Sequence, residues 1–315
     1  MEVCGEFVIV GDVHGQFMDV NELMLREWKE DNKIWIFLGD YVDRGSAGFE
    51  IVVLLYAYKI LYPNKIYLLR GNHECRILTT KFNFRSECIQ KASTSMYNLI
   101  MNSFDALPLA ATLTTSKGSF FAVHGGISPE ITTLSDISSI DRFREPDSGG
   151  LLCDMLWSDP LPEDTAEGLS EEDLKEWHAV EFVDNPTRGV GQIFGYNALY
   201  YFLCGNGLEG VIRGHETCHH GYNEHFFKKG GREFPYLITV FSAPNYCGYY
   251  GNLGAVMFLG NEGRSFRTFA EYVPPVLSPT RISTDKGRRF NVPTLDIEAT
   301  KKYMDARVQD SVNEL

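Results

Sequence analysis

The chain has 315 residues, enough for one large domain or two modest ones, and its 44% hydrophobic and 13% aromatic content excludes disordered and fibrous classes. With 29 basic against 42 acidic residues the net charge is −13 with histidine neutral, which argues against a broad basic face for nucleic acid. The longest strongly apolar stretch, 51–62, is interrupted by Lys59 and falls short of the roughly 18 apolar residues that suggest a membrane span.

The cysteines (Cys4, Cys75, Cys88, Cys153, Cys204, Cys218 and Cys247) are odd in number and irregularly spaced, with no C-x-x-C pair. That usage suits a reduced, intracellular protein better than a disulfide framework. The opening Met1-Glu2-Val3-Cys4-Gly5-Glu6 lacks the basic region of a signal peptide, and Pro186 blocks Asn185-Pro186-Thr187 as a glycosylation acceptor. The expected location is cytoplasmic, nuclear or both.

In chain order, strand 7–10 runs into Gly11-Asp12-Val13-His14-Gly15, and a helix is predicted over 20–28. Strand 34–38 leads to Gly39-Asp40-Tyr41-Val42-Asp43-Arg44-Gly45, followed by a predicted helix over 49–61. Strand 66–70 delivers Gly71-Asn72-His73-Glu74 ahead of a helix over 91–104. Strand 120–123 ends in His124-Gly125-Gly126, strand 211–213 in Gly214-His215-Glu216, and strand 237–241 in Ser242-Ala243-Pro244-Asn245-Tyr246. Apolar runs of this length suit strands buried on both faces, and their alternation with helices predicts an α/β layered core. Turn chemistry alone accounts for one or two strands ending in Gly and Asp. Six such loops repeatedly bearing His, Asp or Asn point to one shared site.

Two segments stand apart from this pattern. Residues 161–186 form an acidic insertion, nine acids against Lys175, in which Ser170-Glu171-Glu172-Asp173 reads as the cap of a short helix. Lying next to Arg188 in sequence, it is expected either to attract sites flanked by Lys or Arg or to be a solvated surface loop. The catalytic domain is expected to span 1–272. Prolines punctuate 273–315, which reads as an extended or weakly helical tail through Ile297, Met304, Val308 and Val312.

Asp12, His14, Asp40, Asn72, His124 and His215 offer carboxylate, imidazole and amide donors without thiolate, a set that suits Mn, Fe or Zn. Six ligands are too many for one tetrahedral ion and divide into two sites if one carboxylate bridges. Two metals at roughly 3.5–4 Å separation clamp an in-line displacement and activate a water. Two divalent ions, two carboxylates and one hydroxide sum to about +1, so such a pocket attracts phosphate despite the acidic exterior. Arg44 and Arg188 are forks for phosphate oxygens. His73 is placed to protonate a departing alkoxide, with Asp43 orienting its imidazole.

Two further patterns belong to other chemistries. His215-Glu216-Thr217-Cys218-His219 spells the H-E-x-x-H of zinc proteases but follows a strand and a glycine rather than lying in a helix. Gly205-Asn206-Gly207-Leu208-Glu209-Gly210 spells G-x-G-x-x-G but precedes a strand, so a helix C-cap turn is the better reading.

The ordered motifs Gly11–Gly15, Gly39–Gly45, Gly71–Glu74 and His124–Gly126 resemble those of the phosphoprotein phosphatase family of serine/threonine phosphatases. So do Leu156-Trp157-Ser158-Asp159-Pro160, Thr187-Arg188-Gly189, Arg213-Gly214-His215-Glu216 and 242–246, and the resemblance covers roughly 7–270. Cys75-Arg76, the stretch from Phe82-Asn83-Phe84 to Glu87-Cys88, and 141–146 are most like the calcineurin catalytic branch, whereas Tyr246-Cys247-Gly248 is like the type-1 and type-2A branches.

The resemblance implies a metallophosphoesterase-type β-sandwich of two mixed sheets flanked by α-helices, an α/β (α+β) fold. It implies one metal on Asp12, His14 and Asp40 and a second on Asp40, Asn72, His124 and His215. His73 is then the general acid backed by Asp43; Arg44, Asn72 and Arg188 contact phosphate, and Tyr246 sits at the pocket edge. The implied activity is hydrolysis of phosphoserine and phosphothreonine in proteins by direct attack of the metal-activated water, with no phosphoenzyme. Dinucleoside-polyphosphate hydrolysis, typified by diadenosine tetraphosphate, is the alternative within the same chemistry, and an H-E-x-x-H zinc protease a remote one. The first motif begins ten residues from Met1, so the helical portion that usually precedes it in the family is expected to be missing. No regulatory subunit is identifiable, since neither a long apolar helix nor a calmodulin target is read after residue 270. Phosphoprotein substrates are the expected partners; neither nucleic acid nor membrane is.

Overall fold

Alternation of side chains across short strands builds this molecule from the inside outward. The computed structural model describes residues 1–28 and 32–272, so the tail expected over 273–315 lies outside the described residues. Spatial contacts divide the chain into a unit Met1–Glu271, described here, and a unit Tyr272–Leu315. The strands in chain order are β1 (Glu2–Cys4), β2 (Phe7–Val10), β3 (Ile34–Phe37), β4 (Ile66–Leu68), β5 (Ala110–Thr115), β6 (Gly118–Val123) and β7 (Asp159–Pro160). They continue as β8 (Phe182–Asp184), β9 (Gln192–Phe194), β10 (Gly210–Arg213), β11 (Tyr222–His225), β12 (Leu237–Val240), β13 (Gly254–Gly260) and β14 (Gly263–Phe269). One mixed sheet runs β1-β5-β6-β10-β12-β11, a second β14-β13-β2-β3-β4, and a small third β7-β9-β8.

The two large sheets face each other. Phe7, Ile9 and Ile36 of the second sheet meet Leu113, Phe120, Ala122, Ile212 and Ile238 of the first in one buried layer. Their sequence neighbours point the other way because strand side chains alternate. Val8, Val10, Trp35 and Phe37 pack on helices Phe17–Glu27, Gly48–Leu61 and Thr94–Asp105. On the far side Phe121, Val123, Val211 and Leu237 pack on helices Leu151–Trp157 and Tyr196–Asn206. The result is the sandwich of two mixed sheets flanked by helices expected from the motifs.

Local chemistry revises several boundaries. The helix predicted over 91–104 is two helices, Phe84–Lys91 and Thr94–Asp105, because Ser93 Oγ accepts the Met96 backbone N–H at 3.1 Å and starts a new one. The helix predicted over 20–28 begins at Phe17 and ends at Glu27. Leu38, Leu69, Arg70 and Phe241 lie just beyond the ladders of their strands. The G-x-G-x-x-G run is a helix end: Gly207 closes Tyr196–Asn206 at φ 63°, the left-handed cap that glycine adopts most easily.

The acidic insertion is more than a solvated loop. Ser170 Oγ accepts the Asp173 N–H at 3.2 Å and caps helix Glu171–Ala179. On its inner side Trp177 is buried in the core cluster that also holds Phe194 and Phe227. Strands β8 and β9 pair antiparallel beside it, with β7 on the other edge of β9. The acids of the helix face outward while one aromatic anchors it.

Candidate metal centre

Strands β2, β3 and β4 run parallel, as do β6, β10 and β12, so the residues that follow them emerge at carboxyl ends of the sandwich. A parallel bridge between Asp12 and Phe241 joins the two sheets there. Ser242 strengthens that joint, its Oγ accepting the Gly11 N–H at 2.8 Å and its N–H donating to Asp12 O at 3.1 Å. The loops after β2 and β3 then pack back to back. A Cβ on Gly45 would lie 2.4 Å from the His14 carbonyl oxygen, which is why glycine occupies that position.

Asp12 and His14 follow β2, Asp40 follows β3, Asn72 follows β4, His124 follows β6 and His215 follows β10, and all six are buried. His14, Asp40 and His215 hold positive φ of 39°, 54° and 70°, as do Asp43 at 66° and Arg44 at 70°. Left-handed backbone at non-glycine residues costs of order 1–3 kcal/mol each, and here it turns side chains inward from tight strand ends.

Asp40 lies between two sets of donors. Its Oδ2 is 3.4 Å from His14 Nε2, and its Oδ1 is 3.4 Å from His124 Nε2. His14 Nε2 is also 3.8 Å from Asp12 Oδ2. His14 Nδ1 and His124 Nδ1 pair with the carbonyls of Val42 at 3.0 Å and Leu38 at 3.1 Å. Those bonds place the ring protons on Nδ1 and leave lone pairs on Nε2 facing inward, the orientation of a metal-ligating histidine. One ligand group joins His14, Asp40 and His73, and another joins Asp40, His124 and His215.

Asn72 Oδ1 stands 3.0 Å from each Asp40 oxygen, 2.8 Å from His124 Nε2 and 3.2 Å from His215 Nδ1, all acceptors. Turning the amide over would supply donors to these atoms. That rotation does nothing for Asp12 Oδ2, which is buried without a hydrogen-bond partner. Nor does it relieve the acidic charge. Burial pushes Asp12 up to about 7 against the pull of the His215 N–H and Arg213, and burial with Asp12 and Glu74 pushes Asp40 well above the carboxylate range. Burial holds His14, His124 and His215 well below the usual imidazole pKa, so their rings are neutral. Cations held among these atoms would give the Asp12 oxygen a partner and offset the buried carboxylate charge, so the donor set fits metal ions of the O/N-preferring kind.

Around the cluster lie the other expected residues. His73 Nδ1 meets Asp43 Oδ2 at 2.8 Å, while Asp43 Oδ1 accepts the Phe84 N–H at 2.9 Å. Burial, with Arg44 and Arg188 nearby, pulls His73 down to about 3, and burial raises Asp43 to about 7. His73 also stands within ligand reach of His14 and Asp40, but its bond to Asp43 suits a proton carrier better. The Tyr246 ring lies 5.0 Å from that of His14, beside the cluster. Arg188 Nε donates to Asp159 Oδ2 at 2.8 Å.

Three supporting residues were not singled out from sequence. Glu74 ties the loops after β3 and β4 together through backbone N–H groups. Asp159 accepts from both Arg188 and Arg213, and burial of its carboxyl is outweighed by these arginines, which hold it below the usual range. Arg213 is fully buried and also donates to Glu216 Oε2 at 2.6 Å. All three sit inside the quoted motifs, so motif membership was their only signal. The protease reading fails on geometry: residues 215–219 are not helical, and His219 is exposed while His215 is buried.

Residues 5–219 match the family described as calcineurin-like phosphoesterase, and the chain belongs to that family. Over 262 residues it is 42% identical to the serine/threonine-protein phosphatase 2B catalytic subunit A1 of Saccharomyces cerevisiae, an alignment covering 83% of this chain and 46% of that protein. The chain thus spans about half the length of that curated relative. A solved protein serine/threonine phosphatase from Saccharomyces cerevisiae, described as similar to human phosphatase PP5, gives a TM-score of 0.74 at 31% identity, covering 88% of this chain and 85% of that one. A cold-active protein-tyrosine phosphatase of a psychrophilic Shewanella shares the fold at a TM-score of 0.54 and 15% identity, over 85% of this chain and 81% of that one.

Proposed function

We propose that the chain is a protein serine/threonine phosphatase that hydrolyses phosphoserine and phosphothreonine in a single displacement. The observation that carries this reading is Asp40, whose two oxygens each face a different histidine at 3.4 Å. Asp12, His14 and Asp40 would hold one ion, and Asp40, Asn72, His124 and His215 a second, each Mn, Fe or Zn. Bound there, the ions would polarise the phosphoryl group and activate water for attack at phosphorus.

The chain's own groups supply the rest. Arg44 and Arg188 grip phosphate oxygens, and Asp159 holds the Arg188 fork in place. His73 hands a proton to the departing serine or threonine oxygen while Asp43 steadies Nδ1. Burial depresses the His73 pKa most and the two arginines add to it; an arriving phosphate dianion offsets the arginines' share, so substrate itself favours the protonated imidazole. Phosphoproteins are the substrates on this reading, target choice falls to a regulatory subunit, and the cysteine usage favours cytoplasm or nucleus.

Metal analysis of the purified chain, joined to assays on a phosphopeptide, diadenosine tetraphosphate and casein with and without Mn²⁺ and chelator, tests this. Phosphopeptide turnover lost on chelation and restored by Mn²⁺ is expected. Preferential cleavage of the dinucleotide, or inert protein carrying two metals, would overturn it.

A further inference from the structure

Phe82 and Asn83 lie outside the metal cluster, yet between them they touch Arg44, Gly45 and His73. The Arg44 guanidinium carbon sits 3.9 Å from the centroid of the Phe82 ring. The same ring lies 5.1 Å from the His73 imidazole at 33°, so Phe82 contacts both the proposed phosphate fork and the proposed proton donor. Asn83 Oδ1 accepts the Arg44 N–H at 2.8 Å and its Nδ2 donates to Gly45 O at 2.7 Å, bracing Arg44 where the backbone holds φ 70°. Next along, the Phe84 N–H reaches Asp43 at 2.9 Å.

Arg44 needs such a support. The ion pairs found around the site go to Asp12, Asp40, Asp43, Asp159 and Glu216, and none of them reaches the Arg44 guanidinium among the described residues. A long side chain without a carboxylate partner has rotamer freedom to lose when it binds phosphate. An aromatic face takes up that freedom beforehand and leaves the N–H edge available, because the cation rests on the ring rather than donating to it.

We propose that Phe82 and Asn83 are positioning residues that hold Arg44 ready for a phosphate group, Phe82 through its ring face and Asn83 through the Arg44 and Gly45 backbone. The assignment rests on the phosphate-binding role proposed for Arg44. It predicts that Phe82→Leu weakens binding of inorganic phosphate to the Mn²⁺-loaded protein by about three- to tenfold, the scale of a cation–π contact. Phe82→Tyr keeps the ring face and retains wild-type binding. In an Arg44→Ala background the Phe82→Leu change has no further effect, since the guanidinium that it supports is gone.

Calorimetric titration of phosphate into the four single and double variants, with a thermal melt of each, is the test. Phosphate binding is read without turnover, so a failure of the phosphatase reading shows in the peptide assay and a failure of the clamp shows here. Weakened binding in Phe82→Leu that Phe82→Tyr restores and Arg44→Ala abolishes supports the clamp. Unchanged phosphate affinity in Phe82→Leu overturns it. An equal loss with and without Arg44 also overturns it, because the ring would then act through the fold of the loop.

Discussion

Glu74 accepts the backbone N–H of Asp40 at 2.7 Å through Oε2. The same oxygen takes the Gly71 N–H at 2.9 Å, and Oε1 takes that of Tyr41 at 2.9 Å. One buried carboxylate therefore sets the spacing between the loop that carries Asp40 and the loop that carries Asn72. Glu74→Gln replaces one acceptor oxygen with a donor and sets it against a backbone N–H. Metal affinity should fall by about ten- to a hundredfold, the usual effect of losing a support behind a ligand. Competition against a chromophoric chelator measures this, and wild-type affinity in the variant would remove Glu74 from the account.

His73→Asn tests the proton transfer. Turnover of alkyl phosphates such as phosphoserine peptides should drop by about two or more powers of ten. Aryl phosphates, whose leaving groups scarcely need the proton, should lose much less. Parallel kcat measurements on both substrates decide it, and equal losses would count against the role.

Asp159 accepts from Arg188 at 2.8 Å and from the fully buried Arg213 at 2.9 Å. Asp159→Ala leaves the buried guanidinium short of one partner, with Glu216 and backbone carbonyls remaining. Breaking a buried pair in this way costs about 3–5 kcal/mol, an upper bound here because those other acceptors stay. Urea unfolding should show the lowered stability, while KM for phosphopeptide rises as Arg188 loses its anchor.

His225 is buried between Thr239 Oγ1, 3.1 Å from Nε2, and Glu163 Oε2, 3.7 Å from Nδ1. Burial, with Arg213 nearby, lowers its pKa from 6.5 to about 3. Between those values the unfolded chain binds a proton that the folded chain refuses, so stability is full above about pH 6.5 and is lost as pH falls towards 3. One such group contributes a slope of about 1.4 kcal/mol per pH unit. His225→Gln should remove that share of the slope in urea titrations from pH 6.5 down to 5, and an unchanged slope would contradict it.

Much of this was legible in the order of residues. The six residues proposed as ligands sit in tight turns directly after apolar strands, so local chemistry announces them: glycine for close approach, Asp, His and Asn as donors. Strands buried on both faces were also readable, because segments such as Phe7–Val10 are apolar at every position, whereas their division into two facing sheets came from the resemblance of the motifs. Less legible was the helix break at Ser93, since apolar spacing runs through 91–104 and only the cap hydrogen bond divides it. The edge hairpin of β13 and β14 was harder still, because β14 mixes exposed polar residues with half-buried ones. The insertion read as acidic surface because nine charges outweigh one Trp177 in composition, although that one side chain fixes how the segment packs.

From the linear order alone came which residues can ligate, which can grip phosphate and which faces must be buried, because these depend on residue type and on short-range periodicity. Only the folded chain decided that Asp40 faces both histidines, that Glu74 spaces two loops, that Asp159 is shared by two arginines and that Phe82 backs Arg44. Each of those relations joins residues distant in sequence across strand ends, and their distances follow from sheet register and packing, which short-range patterns do not encode.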